Sequence, residues 1–275
     1  MLGRPVAQRL VSDGWRVRGL TRDTRRATER FGSDHEWVPG DVRDPGALLK
    51  AMDGCFGVHV NLRGTTPREA VDIEVGGALA IAKAVSKAGV RRVTYLSGAG
   101  IEAANSKLLP ARIKQAAEAA IRSSSSGWTI LRASHFMESL DLFVRGRSAA
   151  ILGRQPLAFH YLAADDYAGQ VAAAYRNNGS AHRAITLLGP EAFTMEQALS
   201  RYLAIARPGV DLRRIPLIVP RLIAKLTRNR ELEMVVRLFE AFPRIPETGD
   251  RTEAEQLLGP ATTTLDEWCK RRRLA

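Results

Sequence analysis

Over the first two thirds of the chain, segments of helical periodicity alternate with short runs rich in β-branched and aromatic residues, and this alternation constrains the fold more than any other feature. Strands separated by helices rejoin one sheet through crossovers, so the pattern predicts a parallel sheet with helices on both faces. A helix is expected over Pro5–Asp13, with proline in its first turn and Gly14 at its end, then a strand over Trp15–Thr21. Helices follow at Thr24–Phe31, Pro45–Met52, Arg68–Ala88 and Leu109–Ser123, and strands at Glu36–Val38, Cys55–Asn61, Arg92–Ser97 and Trp128–Arg132. Beyond about residue 135 the rhythm loosens into a helix at Phe136–Val144, strands at Ala158–Leu162 and Ala184–Leu188, and helices at Tyr167–Arg176 and Met195–Ala206. The spacing Thr264-Leu-Asp-Glu267 is that of a capping box. The expected class is therefore α/β, a doubly wound parallel sheet over residues 1–150 that residues 151–275 complete as a small, mostly helical cap.

The 275 residues, 45% of them hydrophobic, suffice for one sizeable core. Cys55 and Cys269 follow no metal-ligand spacing, the five histidines show no partner pattern, and no signal-like segment opens the chain, so a cytoplasmic protein with reduced thiols is expected. The longest apolar candidate is broken at Pro216 and Pro220, which argues against a membrane span, and no membrane partner is expected. The net charge of +12 gathers partly at Arg213–Arg214, Arg228–Arg230 and Lys270–Arg273. No helix-turn-helix, zinc-finger or aromatic RNA-binding pattern accompanies it, so the excess reads as a solvated basic surface that helps attract an anionic cofactor, with no specific nucleic-acid partner. Composition leaves the oligomeric state open.

Several segments, in order, are similar to the NmrA-like branch of the atypical short-chain dehydrogenase/reductases: Leu2-Gly-Arg-Pro-Val6, Gly19-Leu-Thr-Arg-Asp23, Gly40-Asp-Val-Arg-Asp-Pro45, Ala88-Gly-Val-Arg-Arg-Val-Thr-Tyr-Leu-Ser-Gly98, Lys114 with Glu118, and Trp128-Thr-Ile-Leu-Arg132 followed by Phe136-Met-Glu138. Leu188-Gly-Pro-Glu191 and Thr264–Trp268 are similar as well. The resemblance implies a Rossmann-like fold, an NAD(P) cofactor and a small-molecule substrate. Members of that family open on a strand and a G-x-x-G-x-x-G turn whose last glycine matches Gly3, so the strand and the first two glycines have no counterpart here. That strand would lie between Trp15–Thr21 and Cys55–Asn61, leaving their facing edges unpaired at about 1–3 kcal/mol for each buried orphan group. Either the start belongs at an upstream position, or the chain is shortened and the gap is closed by other means.

The resemblance also nominates site residues. Leu2 and Gly3 would begin the helix that faces the pyrophosphate, with glycine there because a side chain would push the helix off the sheet; the alternative is an ordinary helix-start glycine. Arg22 stands where NAD-binding folds often carry an acid, and its planar fork suits a ribose 2′-phosphate, which favours NADP with NAD possible; otherwise it caps the next helix or pairs with Asp23. Asp41 and Val42 would lie against the adenine, or Asp41 makes a plain Asx-type turn. Asn61 and Leu62 end a strand at the carboxyl edge, where ligands of such sheets bind. Ser97, Lys114 and His135 are the candidates for chemistry, with Ser97, Lys114 and Ser134 also touching the cofactor. The tyrosine that the larger superfamily carries four residues before this lysine is replaced by Pro110, so its phenol acid is unavailable. A desolvated Lys114 could instead give up a proton, or it could simply pair with Glu118. An NADP-dependent reductase of a small carbonyl, quinone-like or imine substrate is expected, the alternatives being a non-enzymatic NAD(P)-binding regulator and a form unable to bind cofactor.

Overall fold

The computed structural model describes residues 2–32, 35–102 and 107–274. The chain opens on α1 (Gly3–Ser12), then alternates β1 (Arg18–Thr21), α2 (Thr24–Phe31), β2 (Glu36–Pro39), α3 (Pro45–Met52) and β3 (Gly57–Val60). One continuous helical segment follows: α4 (Pro67–Glu69), a π-helical stretch (Ala70–Gly76) and α5 (Gly77–Lys87). Then come β4 (Arg92–Gly98), α6 (Leu109–Arg122) and β5 (Gly127–Ala133). Two differences from the sequence reading stand out before residue 150. The expected helix at 68–88 contains a π-turn, and Phe136–Val144 is no α-helix but a short strand β6 (His135–Phe136), a 3-10 helix (Met137–Phe143) and a hairpin of β7 (Val144–Arg145) with β8 (Ser148–Leu152). Met137 and Leu140 are the buried residues of the 3-10 helix, three apart as its period requires.

The remaining elements are β9 (Ala158–Leu162), α7 (Ala164–Arg176), β10 (Arg183–Leu187), β11 (Ala192–Thr194), α8 (Met195–Ala206), β12 (Asp211–Ile215), α9 (Ile218–Thr227), α10 (Arg230–Ala241), α11 (Thr252–Leu258) and α12 (Leu265–Leu274). Four strands form the parallel sheet in the order β10-β5-β4-β3, and β1 pairs with β2 in a separate parallel pair. Helices cover both faces, as the alternation requires. On one face Leu2 and Val6 of α1 pack with Tyr167 and Val171 of α7, Leu131, Ile185 and α11. On the other, Leu48 and Met52 of α3 meet Ile81 and Val85 of α5, Ile121 of α6, and Val93, Tyr95 and Ile130 of the sheet. Successive residues of β4 thus serve opposite cores, and six of its seven residues are buried.

Among the described residues, β1 and β3 share no ladder, so the two groups of strands are not joined into one sheet. The side chains report the same interval: all four residues of β1 and three of the four in β3 are only half-buried, whereas central strands of a doubly wound sheet are normally enclosed. Side chains bridge what backbone does not. The Arg18 guanidinium donates to the carbonyls of Asp53 (2.7 Å) and Ala51 (3.3 Å), and Trp15 stacks on Phe56 with ring centroids 5.4 Å apart.

Close backbone approach fixes one further position. A Cβ on Gly189 would lie 1.7 Å from the Tyr161 carbonyl oxygen, so the turn after β10 can run beside β9 only without a side chain. Gly189→Ala is expected to lower stability by about 1–3 kcal/mol or more, the usual penalty of overpacking, read as a lowered urea midpoint at unchanged slope. An unchanged midpoint would contradict this packing.

Candidate functional site

Strands run parallel within each group, and Val42 after β2 and Leu62 after β3 both meet Gly77, so the carboxyl ends of the two groups share one edge along which residues nominated from sequence gather. At the end of β1, Asp23 caps α2 by accepting from the Arg26 backbone N–H (2.9 Å), which leaves Arg22 exposed and without an ion-pair partner among the described residues. At the end of β2, Asp41 makes an Asx-type turn, accepting from the Arg43 N–H (2.9 Å), while the Arg43 guanidinium donates to both carboxylate oxygens at 2.7 Å. Hydrogen bonding to Arg43 holds the Asp41 carboxyl well below the usual carboxylate range, with the Arg22 charge adding to the effect. Val42 and Leu62 converge over Gly77: a Cβ there would meet Leu62 at 2.9 Å and Val42 at 3.2 Å. Asn61 is exposed beside them.

The first turn of α1 has no side-chain cap, and Leu2 at its N-cap is buried in the cluster that holds Leu96, Ala133 and Leu187 from the carboxyl ends of β4, β5 and β10. Gly3 is not required for the reason given from sequence: a Cβ at this position meets no atom within 4 Å. The space beside the helix start is open, so nothing there would push the helix away.

Lys114 does not pair with Glu118 across one helical turn. Its Nζ lies 2.9 Å from the carboxylate of Glu74, a buried residue of the π-helical stretch, and 5.5 Å from the Tyr95 ring centre. Burial opposes the ammonium charge, yet Tyr95 and Glu74 outweigh it and hold the lysine above its ordinary pKa. It is a fixed cation, ill suited to give up a proton. Glu74 also accepts from the Gly64 N–H (3.3 Å), tying the loop after β3 to α6. Extra backbone in a π-turn places side chains off the regular helical stripe, and Glu74 reaches both partners from there.

Ser97 donates to the buried Glu118 carboxylate at 2.7 Å. Burial pushes that carboxyl up, but Arg132, donating at 2.8 and 3.1 Å, and Ser97 outweigh it and keep it ionised. Ser134 donates to Glu247, which also accepts from the His160 backbone N–H (3.0 Å) and lies 2.8 Å from His160 Nδ1. Burial raises the Glu247 pKa despite these bonds. His135 lies 4.1 Å from Phe159 in a tilted pair and 5.1 Å from Phe242 edge to face, ring centre to ring centre, and burial lowers its pKa to about 4.

Three residues of this edge escaped the sequence reading: Glu74, His160 and Glu247. Glu247 lies in a proline-flanked stretch that crosses the carboxyl ends of the strands, where the Pro246 carbonyl comes 2.1 Å from the place of a Cβ on Gly100. Only the neighbouring Pro243 and Pro246 marked that stretch as irregular; nothing local gave its destination.

Two half-buried histidines, His135 and His59, whose Nε2 atoms are shielded from solvent, have a consequence for stability. His59, within 2.9 Å of Thr94 Oγ1, is likewise pushed by burial down to about 4. Both stay neutral in the fold while unfolded histidine charges below about pH 6.5. A depressed folded pKa contributes stability above the unfolded value, and that stability is lost as pH falls. Stability is therefore expected to fall from about pH 6.5 to 4.5, by as much as about 2–3 kcal/mol per histidine. His135→Phe, which suits the aromatic surround, is expected to flatten the slope measured by urea unfolding; an unchanged slope would contradict the assignment.

Comparison with known proteins identifies the family. Residues 1–143 match the NAD(P)H-binding family. A Streptomyces griseus protein named (4-alkanoyl-5-oxo-2,5-dihydrofuran-3-yl)methyl phosphate reductase is 33% identical over 228 residues, covering 78% of this chain and 77% of that one. Among solved structures, the Citrobacter sp. triphenylmethane reductase complexed with NADP(H) superposes with a TM-score of 0.74 at 18% identity, covering 99% of this chain and 96% of that one. An Escherichia coli NADPH-dependent quinone oxidoreductase complexed with NADPH gives 0.76 at 17% identity, covering 98% and 96%. With more than half its length matched and a relative above 30% identity, the chain belongs to the NAD(P)H-binding family.

Proposed function

We propose that the protein is a cytoplasmic NADPH-dependent reductase of a small carbonyl, quinone-like or imine substrate, with the cofactor along the shared carboxyl edge and residues 151–275 on the substrate side. The observation that carries this reading is Arg22, an exposed guanidinium with no ion-pair partner among the described residues, at the end of β1 where the adenosine ribose of a dinucleotide would lie. The residues present fit such a cofactor. Arg22 would hold the ribose 2′-phosphate, Val42 and Leu62 would flank the adenine, and the uncapped start of α1 would face the pyrophosphate. Backbone at Asn61 and Leu62 would run beneath the nicotinamide half, and Lys114, its charge fixed by Glu74, would hold that ribose. The bound nicotinamide would supply a hydride.

Reduction of a carbonyl, quinone or imine also needs a proton. Pro110 removes the phenol from α6, Lys114 is held as a cation by Glu74, and Ser97 is committed to Glu118. His160 is the better-placed group: Glu247 anchors its Nδ1, and among the described residues no hydrogen bond engages its Nε2, which leaves that nitrogen for a substrate oxygen. Ser134 would orient Glu247, and His135 would line the pocket with Phe159 and Phe242. The reductase name of the Streptomyces griseus relative supports turnover. The second reading, a non-enzymatic NAD(P)H sensor, is favoured by Pro110.

Two measurements test these readings together. The protein is expected to oxidise NADPH in the presence of at least one acceptor from a quinone, carbonyl and imine panel; saturable NADPH binding without turnover would favour the sensor. Arg22→Ala is expected to weaken NADPH binding by about tenfold or more and NADH binding far less, since charge-assisted contacts contribute about 1.5–3 kcal/mol. Equal losses for both cofactors would contradict the assignment of Arg22.

A further inference from the structure

Helix α9 is built inside out. Its buried residues are the small Pro220 and Ala224, four apart, while Ile218, Val219, Leu222, Ile223 and Leu226 are exposed at 52%, 42%, 50%, 47% and 82%. At 3.6 residues per turn these five occupy a single arc of about 140°, opposite the side that packs on α10. Isolated exposed apolar residues need no explanation, but a contiguous stripe of five on one helix marks an interaction surface.

Along the chain, the segment that carries the stripe is basic, with Glu233 and Glu240 of α10 beside it pairing with Arg230 and Arg221. From Leu212 to Arg230 the chain carries Arg213, Arg214, Arg221, Lys225, Arg228 and Arg230 and no acidic residue. Arg214 and Arg221 reach carboxylates on neighbouring elements and Arg230 pairs with Glu233 within α10, whereas Arg213, Lys225 and Arg228 have no ion-pair partner among the described residues. Lys225 stands one turn from Arg221 along the border of the apolar arc, and Arg228 closes the helix in a left-handed conformation with φ of 51°.

We propose that α9 docks the protein on an anionic lipid surface, lying in the plane of the interface with its apolar arc among the acyl chains and Arg213, Lys225 and Arg228 at the headgroups. An apolar stripe bordered by lysine and arginine is the pattern of an interfacial helix, and attraction to acidic lipid acts together with apolar burial. The net charge of +12 favours such a surface. A second copy of this chain is a poorer occupant, because a symmetric pairing through α9 would set each basic rim against its own copy. The expectation of no membrane partner rested on the lack of a spanning segment, and no helix among the described residues is long and apolar enough to cross a membrane. An interfacial helix needs no span.

Co-sedimentation of the full chain with phosphatidylcholine vesicles, with and without phosphatidylglycerol, tests this directly. Binding is expected to the anionic vesicles and to be about tenfold or more weaker on neutral ones. The exposed double variant Leu222→Glu with Leu226→Glu is expected to lose anionic binding at an unchanged thermal midpoint, and Lys225→Glu with Arg228→Glu to weaken it. Failure of the wild type to bind anionic vesicles would overturn the proposal, as would binding that persists in the Leu222/Leu226 variant. A dimer in sedimentation equilibrium that this variant dissociates would assign the stripe to a second copy instead.

Discussion

Parallel strand direction is the constraint on which this molecule's chemistry rests. Each crossover returns the chain to the amino end of the next strand, so every strand of the sheet delivers the residue after it to the same edge. Arg22, Asp41, Asn61, Ser97 and Ser134 come from five separate strands and have no sequence proximity, yet direction alone makes them neighbours along one line. The same constraint orients α1, whose uncapped start lies at that edge, and α6, which carries Lys114 beneath it. The interval between β1 and β3 leaves this arrangement intact, because the core beneath α3 and α5, which takes in Leu20 as well as Val60, and the Arg18 side chain hold the two strand groups in place.

Along this edge the buried charges are arranged so that each carboxylate fixes a specific partner. Glu74 fixes Lys114 and the loop after β3, Glu118 fixes Ser97 and Arg132, and Glu247 fixes Ser134 and His160. Buried ion pairs contribute little net stability against apolar replacements, but they set orientation, and orientation is what a ligand site needs. The result is a row of side chains with assigned protonation: Lys114 charged, Glu118 charged and His135 neutral.

Sequence patterns were most legible where period and direction decide the structure. The crossovers up to residue 133 and the capping box at Thr264 follow from local chemistry that needs no distant partner. The interval between β1 and β3 was legible through the family resemblance. What stayed hidden depends on distance. Glu74 sits within an apparently ordinary helical pattern, and only its π-turn directs it to Lys114. Glu247 meets Ser134 from 113 positions away. The 3-10 segment was misjudged because buried residues three apart also fit an α-helix, and β12, reading Asp-Leu-Arg-Arg-Ile, looked like a basic surface stretch. At Gly3 the expected packing constraint was drawn from the family rather than from any neighbour in this chain.

Every role assigned along the shared carboxyl edge depends on the cofactor lying there. Amide hydrogen exchange with and without NADPH locates it most directly, because each strand end and the start of α1 give separate peptides. Added NADPH is expected to slow exchange in the first turn of α1, around Arg22 and Asp41, and through the loop from Asn61 to Gly64, with little change in α9 or α12. Protection confined to the C-terminal elements, with none at α1, β1 or the loop after β3, would contradict the account.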